Sequence, residues 1–568
     1  MKLFLAEKPT SGKAIANHLA GSKTIKDGYI KVGSDSAVTW CFGHIFEQEE
    51  PDHYTPDDVP RNRNGKKRWR WADLPIFPQT WDKRPRPSAQ KQIKVIQYLL
   101  KKATVVVHAG DPDREGQLLV DEILEILGWK GPTERIWLSA LDDISVPTAL
   151  ANLQDNSKLR PLRDAAEARS RADWLMGMNL TRAFTLQSTG RGVVSVGRVQ
   201  TPTLAIVVAR DEAIESFTPK DYLIPRIHTG FWSSWAPADD APQVDPQGYL
   251  TDRPWAETLL QQVTEEGKAV VTAYASTDKS QPPPLGFSLS ELQRICSAKF
   301  GMTASAVLKA AQALYEVHKA TTYPRTDCRY LPEEQFGDAP RIFAGLEQQG
   351  FRGHLRLADA QRKSPIWNTA KVSSHHAIIP TGSLHGTLSE DARKIYQLVV
   401  LFYLAQFYPD YRFRSTEVTL QCAGESWESS VNIPVDQGWK ALFRSSGAEN
   451  ESKVPLPELA IGQELVVDQT ELQQKKTQPP KRFDDGTLIH AMSNIHQFID
   501  DEDAKKTLKQ SAGLGTEATR ASIIETLVTR QFLRRDGKAI VSTPAGRSLV
   551  HSLPPELIDP VMTAQWED

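Results

Sequence analysis

Cysteine is scarce in this 568-residue chain. There are four, Cys41, Cys296, Cys328 and Cys422, and no two form a Cys-x-x-Cys pair. That argues against a structural zinc site and against a disulfide framework. No apolar run approaches the ~20 residues that a membrane-spanning helix needs. The first residues, Lys2-Leu3-Phe4-Leu5-Ala6, read as a strand and not as a basic, then apolar leader. A cytoplasmic protein with no membrane partner is therefore expected. Charge of one sign is missing too. The formal net charge is -2, so contact with nucleic acid would have to come from local patches. A nucleotide-binding loop is absent: Gly12-Lys13 is followed by Ala14 where Ser or Thr is required, and no glycine lies five before Gly12. No internal repeat or low-complexity segment occurs. The length exceeds a single core, so several domains are expected.

The most informative stretch that is present is Val105-Val106-Val107-His108-Ala109-Gly110-Asp111-Pro112-Asp113-Arg114-Glu115-Gly116. Its β-branched run reads as a buried strand. Apolar Leu119, Ile123, Ile126 and Leu127 then follow at helical spacing. Three carboxylates at alternate positions thus fall where a strand gives way to a helix, the ligand edge of an open α/β sheet. Helix capping accounts for one or two acids at a helix start but poorly for three. Oxygen ligands at this density suit Mg²⁺, which keeps several waters and often meets phosphate. Glu7, with Lys8, lies at a second strand-to-helix turn and is placed to join the same edge, although alone the pair reads as solvated loop charge.

Basic and aromatic residues gather elsewhere. Arg61 to Arg70 holds six basic residues and no acid, with Trp69 and Trp71 interleaved, and Lys83, Arg84 and Arg86 extend the tract. Indoles beside cations suit single-stranded nucleic acid, and an ordinary solvated loop fits equally well. A helix is expected over 162–183, carrying Arg163, Arg169, Arg171 and Arg182. Gly190 to Pro202 reads as a glycine-rich basic turn feeding another helix, of the kind that lets a phosphate backbone approach. Gln281-Pro282-Pro283-Pro284 looks like a linker between domains. Helices are expected over 289–299 and 304–315, the second capped by Thr303. In Thr322-Tyr323-Pro324-Arg325-Thr326-Asp327 the chain before proline is extended, so Tyr323, Arg325 and Asp327 share a face. Free tyrosine is only about 0.1% ionised at neutral pH, and a neighbouring cation lowers its pKa. By itself the stretch reads more readily as a half-buried strand. Adjacent His375 and His376 on an extended chain point apart, so one can meet a phosphate while the other packs. Near the end, Asp536-Gly537 between two apolar pairs reads as a hairpin after a helix, a winged-helix pattern.

Together these motifs resemble the type IA DNA topoisomerases. The resemblance rests on Glu7-Lys8 with Asp111-Pro-Asp113-Arg-Glu115, Ser195-Val-Gly-Arg-Val-Gln-Thr-Pro, Thr322-Tyr-Pro-Arg-Thr-Asp, His375-His-Ala-Ile-Ile-Pro and Gly513-Leu-Gly-Thr-Glu-Ala-Thr-Arg, in that order. It spans essentially the whole chain. The Tyr-Pro-Arg form, the missing zinc cysteines and Ala-Asp-Leu-Pro-Ile at 72–76 are most similar to the bacterial topoisomerase III branch.

The resemblance implies a multidomain α/β and α+β fold that closes into a torus. It would comprise a Toprim domain over 1–155 and a helical, winged-helix-like domain from 156–215 and 485–568. A β-rich arch would combine 216–280 with 400–484, and the tyrosine domain would be 281–399. It implies that Tyr323 is the nucleophile on single-stranded DNA, that Arg325 stabilises the transition-state phosphate and also contacts DNA, and that Lys8 binds the scissile phosphate. His375 would contact DNA near the break. Glu7, Asp111, Asp113 and Glu115 would bind Mg²⁺, with Glu7 alternatively a general acid. Trp69, Arg169, Arg171, Arg182 and the segment Ser195, Val196, Gly197, Arg198, Val199 and Gln200 would bind the strand. The implied activity is ATP-independent relaxation and decatenation by a bacterial monomer acting on single-stranded and duplex DNA, with a helicase or single-strand-binding partner open. In relatives the segment at 562–568 continues as helix. Two other classes compete, a Mg²⁺-dependent Toprim nuclease in which water replaces tyrosine, and a non-catalytic DNA-binding scaffold.

Overall fold

The computed structural model describes residues 1–188, 192–372, 375–443, 454–498, 502, 505 and 513–562. The strand Lys2–Ala6 is the middle strand of a seven-stranded sheet. The order is Lys23–Lys26, Tyr29–Val32, Ser36–Trp40, Lys2–Ala6, Val105–Ala109, Thr133–Arg135, Gln154–Asp155. Lys2–Ala6 runs parallel to both neighbours, with Ala6 level with Trp40 on one side and Ala109 on the other. The apolar runs are buried on both faces, as a central parallel strand requires. Leu3, Leu5 and Val106 enter a core with the helices Gln90–Leu100 and Arg114–Ile126. Phe4, Ala6, Val107 and Ala109 enter another with the helices Pro9–His18 and Ser145–Ala151. Because Ala6 and Ala109 are in register, Glu7 and Asp111 leave the sheet at one edge, as read from the sequence. The helix after the acids differs in one detail. Its buried stripe is Leu118 to Val120 with Ile123 and Leu124, while Ile126 is exposed.

A helix of 28 residues, Arg160–Gln187, leads away from this sheet and brackets the expected 162–183. The helix Gln200–Glu215 packs with Asp485–Ser493, Arg520–Thr529, Pro544–Ser552 and the hairpin Leu533–Asp536/Ala539–Ser542 around one core. The hairpin turns at Asp536-Gly537, where Gly537 has φ +58°, the conformation glycine tolerates. The second seven-stranded sheet draws on Asp221–Gln281 and Tyr411–Lys476 and is antiparallel.

A third body, built around Phe287, Leu314, Ile342 and Phe407, holds the helices Leu289–Phe300, Ala304–Glu316 and Glu390–Ala405. Pro282-Pro283-Pro284 bridges the second sheet to this body. The division expected at 399/400 cuts through the helix Glu390–Ala405, whose buried face belongs to the third body. The chain returns to strand only at Tyr411. Gly190, Arg191, Ser373, Ser374 and the residues after Met562 lie outside the described residues. Among the described residues no helix is long and apolar enough to cross a membrane.

Candidate active site

Two glycines shape the acidic loop. A Cβ on Gly110 would lie 2.2 Å from the carbonyl oxygen of Gly116, and one on Gly116 would lie 2.5 Å from the Asp111 carbonyl and 2.8 Å from Glu7 Oε2. The strand end and the first helical turn therefore touch backbone to backbone. The loop is also held by Arg135, fully buried, which donates to the carbonyls of Gly110 at 3.0 Å and Asp111 at 2.9 Å and to Gln117 Oε1 at 2.9 Å. Burial pushes the Arg135 guanidinium down to about 10.

The four carboxylates do not share one environment. Glu7 and Asp111 are buried behind the loop. Glu7 accepts the Asp111 backbone N–H at 3.0 Å. Burial, then the charges of Asp111 and Asp113, push the Glu7 carboxyl up to about 8. Burial likewise raises Asp111. Lys8 Nζ neutralises part of this charge, at 2.9 Å from Asp111 Oδ2 and 2.8 Å from Glu316 Oε1. Although burial opposes it, the carboxylates of Asp111 and Glu7 raise the Lys8 pKa. Asp113 and Glu115 line a cleft of about 520 Å³. Asp113 caps the helix Arg114–Ile126 by accepting the Gly116 N–H at 2.6 Å. Burial, then Asp113, raises Glu115, and Arg169 at 3.4 Å opposes this. Among the described residues no three of these side chains converge as one ligand set. The Lys8 amino group pairs with Asp111, and Asp113 accepts two hydrogen bonds.

The second engagement of Asp113 is with Tyr323, whose hydroxyl donates to Asp113 Oδ2 from 210 residues away in sequence. Tyr323 is 2% exposed. Its backbone N–H donates to the Ser139 carbonyl at 2.8 Å, and its ring packs edge-on against Tyr315 and tilted against His375. Burial, then Asp113 and Asp111, hold the phenol well above its usual pKa, with Arg325 pulling the other way. Arg325 lines the cleft, and its Nε is buried without a hydrogen-bond partner among the described residues. His375 also lines the cleft, stacks on Trp137 at 5.8 Å, and has a buried Nδ1 without a partner among the described residues. Burial pushes its imidazole down to about 4. His376 instead bonds the Ala377 carbonyl through Nδ1 at 2.8 Å, so the two histidines do part ways. Tyr330 accepts from Lys371 Nζ at 3.3 Å and does not line the cleft.

A groove of about 1090 Å³ lies beside the cleft and gathers Trp69, Arg169, Arg182 and the segment Ser195–Gln200. The Arg182 guanidinium lies over the Trp69 ring at 5.1 Å and pairs with Asp52 at 2.8 Å. Arg198 is held by Asp173 at 2.9 Å. Arg530, which the sequence reading passed over, also enters the groove. It donates to Ser195 Oγ and, at 2.8 Å, to Gln200 Oε1. Arg169 links groove to cleft through Glu115. Arg171 does not face the groove: it pairs with Glu167 and lies over Trp81 at 5.3 Å. The tract beyond Trp71 is largely neutralised, Lys83 by Glu122 and Arg84 by Glu47, Glu49 and Glu50. Glu316 and Arg135 also escaped the sequence reading. Neither sits in a motif, and their partners are distant in the chain.

Comparison with known proteins places these features in context. A Toprim domain model matches residues 2–141, and a DNA topoisomerase model matches residues 158–568. The chain is 42% identical to DNA topoisomerase 3 of Salmonella typhimurium, covering 100% of this chain and 89% of that one. It is 41% identical to DNA topoisomerase 3 of Vibrio cholerae with the same coverage. A solved structure of full-length topoisomerase I from Thermotoga maritima has the same fold, with a TM-score of 0.71 at 20% identity, over 100% of this chain and 85% of that one.

Proposed function

The chain belongs to the type IA DNA topoisomerases, and from that membership we propose that Tyr323 carries out a reversible transesterification on single-stranded DNA. The observation that carries this reading is the hydrogen bond from the Tyr323 hydroxyl to Asp113, which joins the third body to the acidic sheet edge. The phenolic oxygen attacks a backbone phosphorus, the bond to the 3′-oxygen breaks, and a 5′-phosphotyrosine remains. The free 3′-hydroxyl later attacks back, so the bond energy is retained and no ATP site is required. Asp113 is oriented to receive the phenolic proton. Glu7, protonated near neutral pH by its raised pKa, suits a proton donor to the leaving 3′-oxygen. Arg325 and Lys8 supply positive charge to the phosphate, and His375 Nδ1 and Arg325 Nε, without partners among the described residues, offer it hydrogen-bonding groups.

The donor chemistry fits a divalent cation. Asp113 and Glu115 face the cleft with oxygen donors, and Mg²⁺ characteristically uses one or two carboxylates with phosphate and water. Glu7 and Asp111 would stand behind them. A bound Mg²⁺ would neutralise phosphate charge. Strand binding would run along the groove from Trp69 past Arg182 and Ser195–Gln200 to Arg169, with Arg530 added and Arg171 a peripheral contact. The proposed enzyme is a monomer that opens between the third body and the rest to pass a second strand or duplex, relaxing and decatenating bacterial DNA. The test is Tyr323→Phe: binding of a single-stranded oligonucleotide should persist while protein-linked DNA after a denaturant quench disappears. Adduct persisting in that variant would exclude Tyr323, and free cleaved ends alone in the unaltered protein would favour a nuclease.

A further inference from the structure

The third body meets the C-terminal segment through two carboxylates, Asp485 buried and Glu517 partly buried at the cleft wall, and both cap helices that frame the tyrosine. The helix Leu289–Phe300 begins with three backbone N–H groups that have no partner within the helix. Leu289 N–H donates to the Thr326 carbonyl at 2.9 Å, within the tyrosine motif itself. Glu291 N–H meets Ser288 Oγ. Ser290 N–H, at 2.6 Å, and Ser290 Oγ, at 2.7 Å, both donate to Glu517 Oε2 across the interface. Arg520 braces Glu517 at 2.7 Å and donates to Ser290 Oγ at 3.0 Å.

The next helix, Ala304–Glu316, repeats the arrangement. Its first N–H, on Ala304, donates to Asp485 Oδ1 at 3.0 Å, and Arg535 braces Asp485 at 3.0 Å. The far end of this helix carries Tyr315, packed on Tyr323, and Glu316, bonded to Lys8. The helices Asp485–Ser493 and Leu289–Phe300 also approach closely, a Cβ on Gly486 falling 2.8 Å from the Arg294 Cα. Each carboxylate therefore fixes one helix whose end sets the place of Tyr323. Charge-assisted bonds to backbone N–H groups are short and directional, and they re-form only when the two bodies return to register.

We propose that Asp485 and Glu517 are positioning residues for Tyr323, a two-point latch that seats the tyrosine body for cleavage and religation and parts when the gate opens. The proposal rests on the transesterification reading above. It predicts a split that loss of fold does not produce. Loosening the latch favours the open state after cleavage, so broken strands wait longer for their 3′-hydroxyl to return. Asp485→Ala and Glu517→Ala should each raise the steady-state fraction of DNA-linked protein on a single-stranded oligonucleotide and slow religation several-fold after a salt chase. Asp485→Asn and Glu517→Gln, which keep an acceptor oxygen, should return both values toward wild type. Adduct and religation unchanged in both alanine variants, or falling in step with melting temperature, would overturn the proposal. Should the alanine variants fail to fold, Ser290→Cys with Glu517→Cys tests the same contact by oxidation. The bridged protein should still cleave a short oligonucleotide but stop relaxing plasmid until reduced, and relaxation while bridged would overturn the proposal. A wild-type protein that forms no adduct would instead remove the underlying reading, a result distinct from any seen in the variants.

Discussion

Single residues at this site are set by burial as much as by charge. Glu7 is the clearest case, with its carboxyl pushed up to about 8. Without a divalent cation the folded chain keeps a proton on Glu7 from about pH 4.5 to 8 that the unfolded chain releases. This contribution is full below the unfolded pKa and is lost as pH rises through 8. Melting temperature measured in EDTA should therefore fall more steeply between pH 5 and 8.5 in the unaltered protein than in Glu7→Gln, and equal slopes would mean that Glu7 ionises as an ordinary surface acid. His375, pushed down to about 4, has the opposite sign: its contribution is present above about pH 6.5 and is lost as pH falls through 4. His375→Gln should flatten the acid limb of the same melting profile. Tyr323, Arg325 and the acids were legible in the sequence because each lies in a short motif. Arg135 and Glu316 were not, because a buried arginine on a strand and a glutamate ending a helix have no local signature. Their meaning comes from the Asp111 carbonyl and the Lys8 amino group, far away in the chain.

Elements carry the geometry that motifs only hint at. The parallel register of Lys2–Ala6 with Val105–Ala109 brings Glu7 to the acidic loop. The shared edge was readable from two apolar strands that each run into an acidic turn, while the register itself was not. The close approach of Gly110 and Gly116 was not readable, since it depends on how tightly the helix turns back on the strand. Gly116→Ala forces a methyl group against the Asp111 backbone and Glu7 Oε2. Overpacking of this kind costs roughly 1–3 kcal/mol. Adduct formation should drop by about tenfold or more while oligonucleotide binding in the groove changes little, and a parallel loss of binding would place the damage beyond the acidic loop. The helix Glu390–Ala405 shows the limit of pattern reading. Its near-continuous apolar run joins the third body, although its sequence position suggested that the arch began at 400.

At the scale of the whole molecule, the groove and the cleft meet through Arg169 and Glu115, and the tyrosine reaches the acids only because the third body docks on the first sheet. A strand lying in the groove would stack on Trp69, a contact worth about 1–3 kcal/mol. Trp69→Ala should weaken oligonucleotide binding by roughly five- to a hundredfold, whereas Arg171→Ala, away from the groove, should leave it nearly unchanged; the two are compared by titration at one salt concentration. The order of motifs made this architecture legible, while the docking contacts and the side chains that neutralise the basic tract required coordinates. One tyrosine, held against the acidic edge, should become linked to DNA. Incubating the protein with a single-stranded oligonucleotide and Mg²⁺, quenching with denaturant, digesting, and locating the DNA-linked peptide by mass spectrometry identifies that residue. The expected result is linkage through a 5′-phosphate to Tyr323. Linkage at Tyr330, or cleaved DNA with no protein attached, would contradict it.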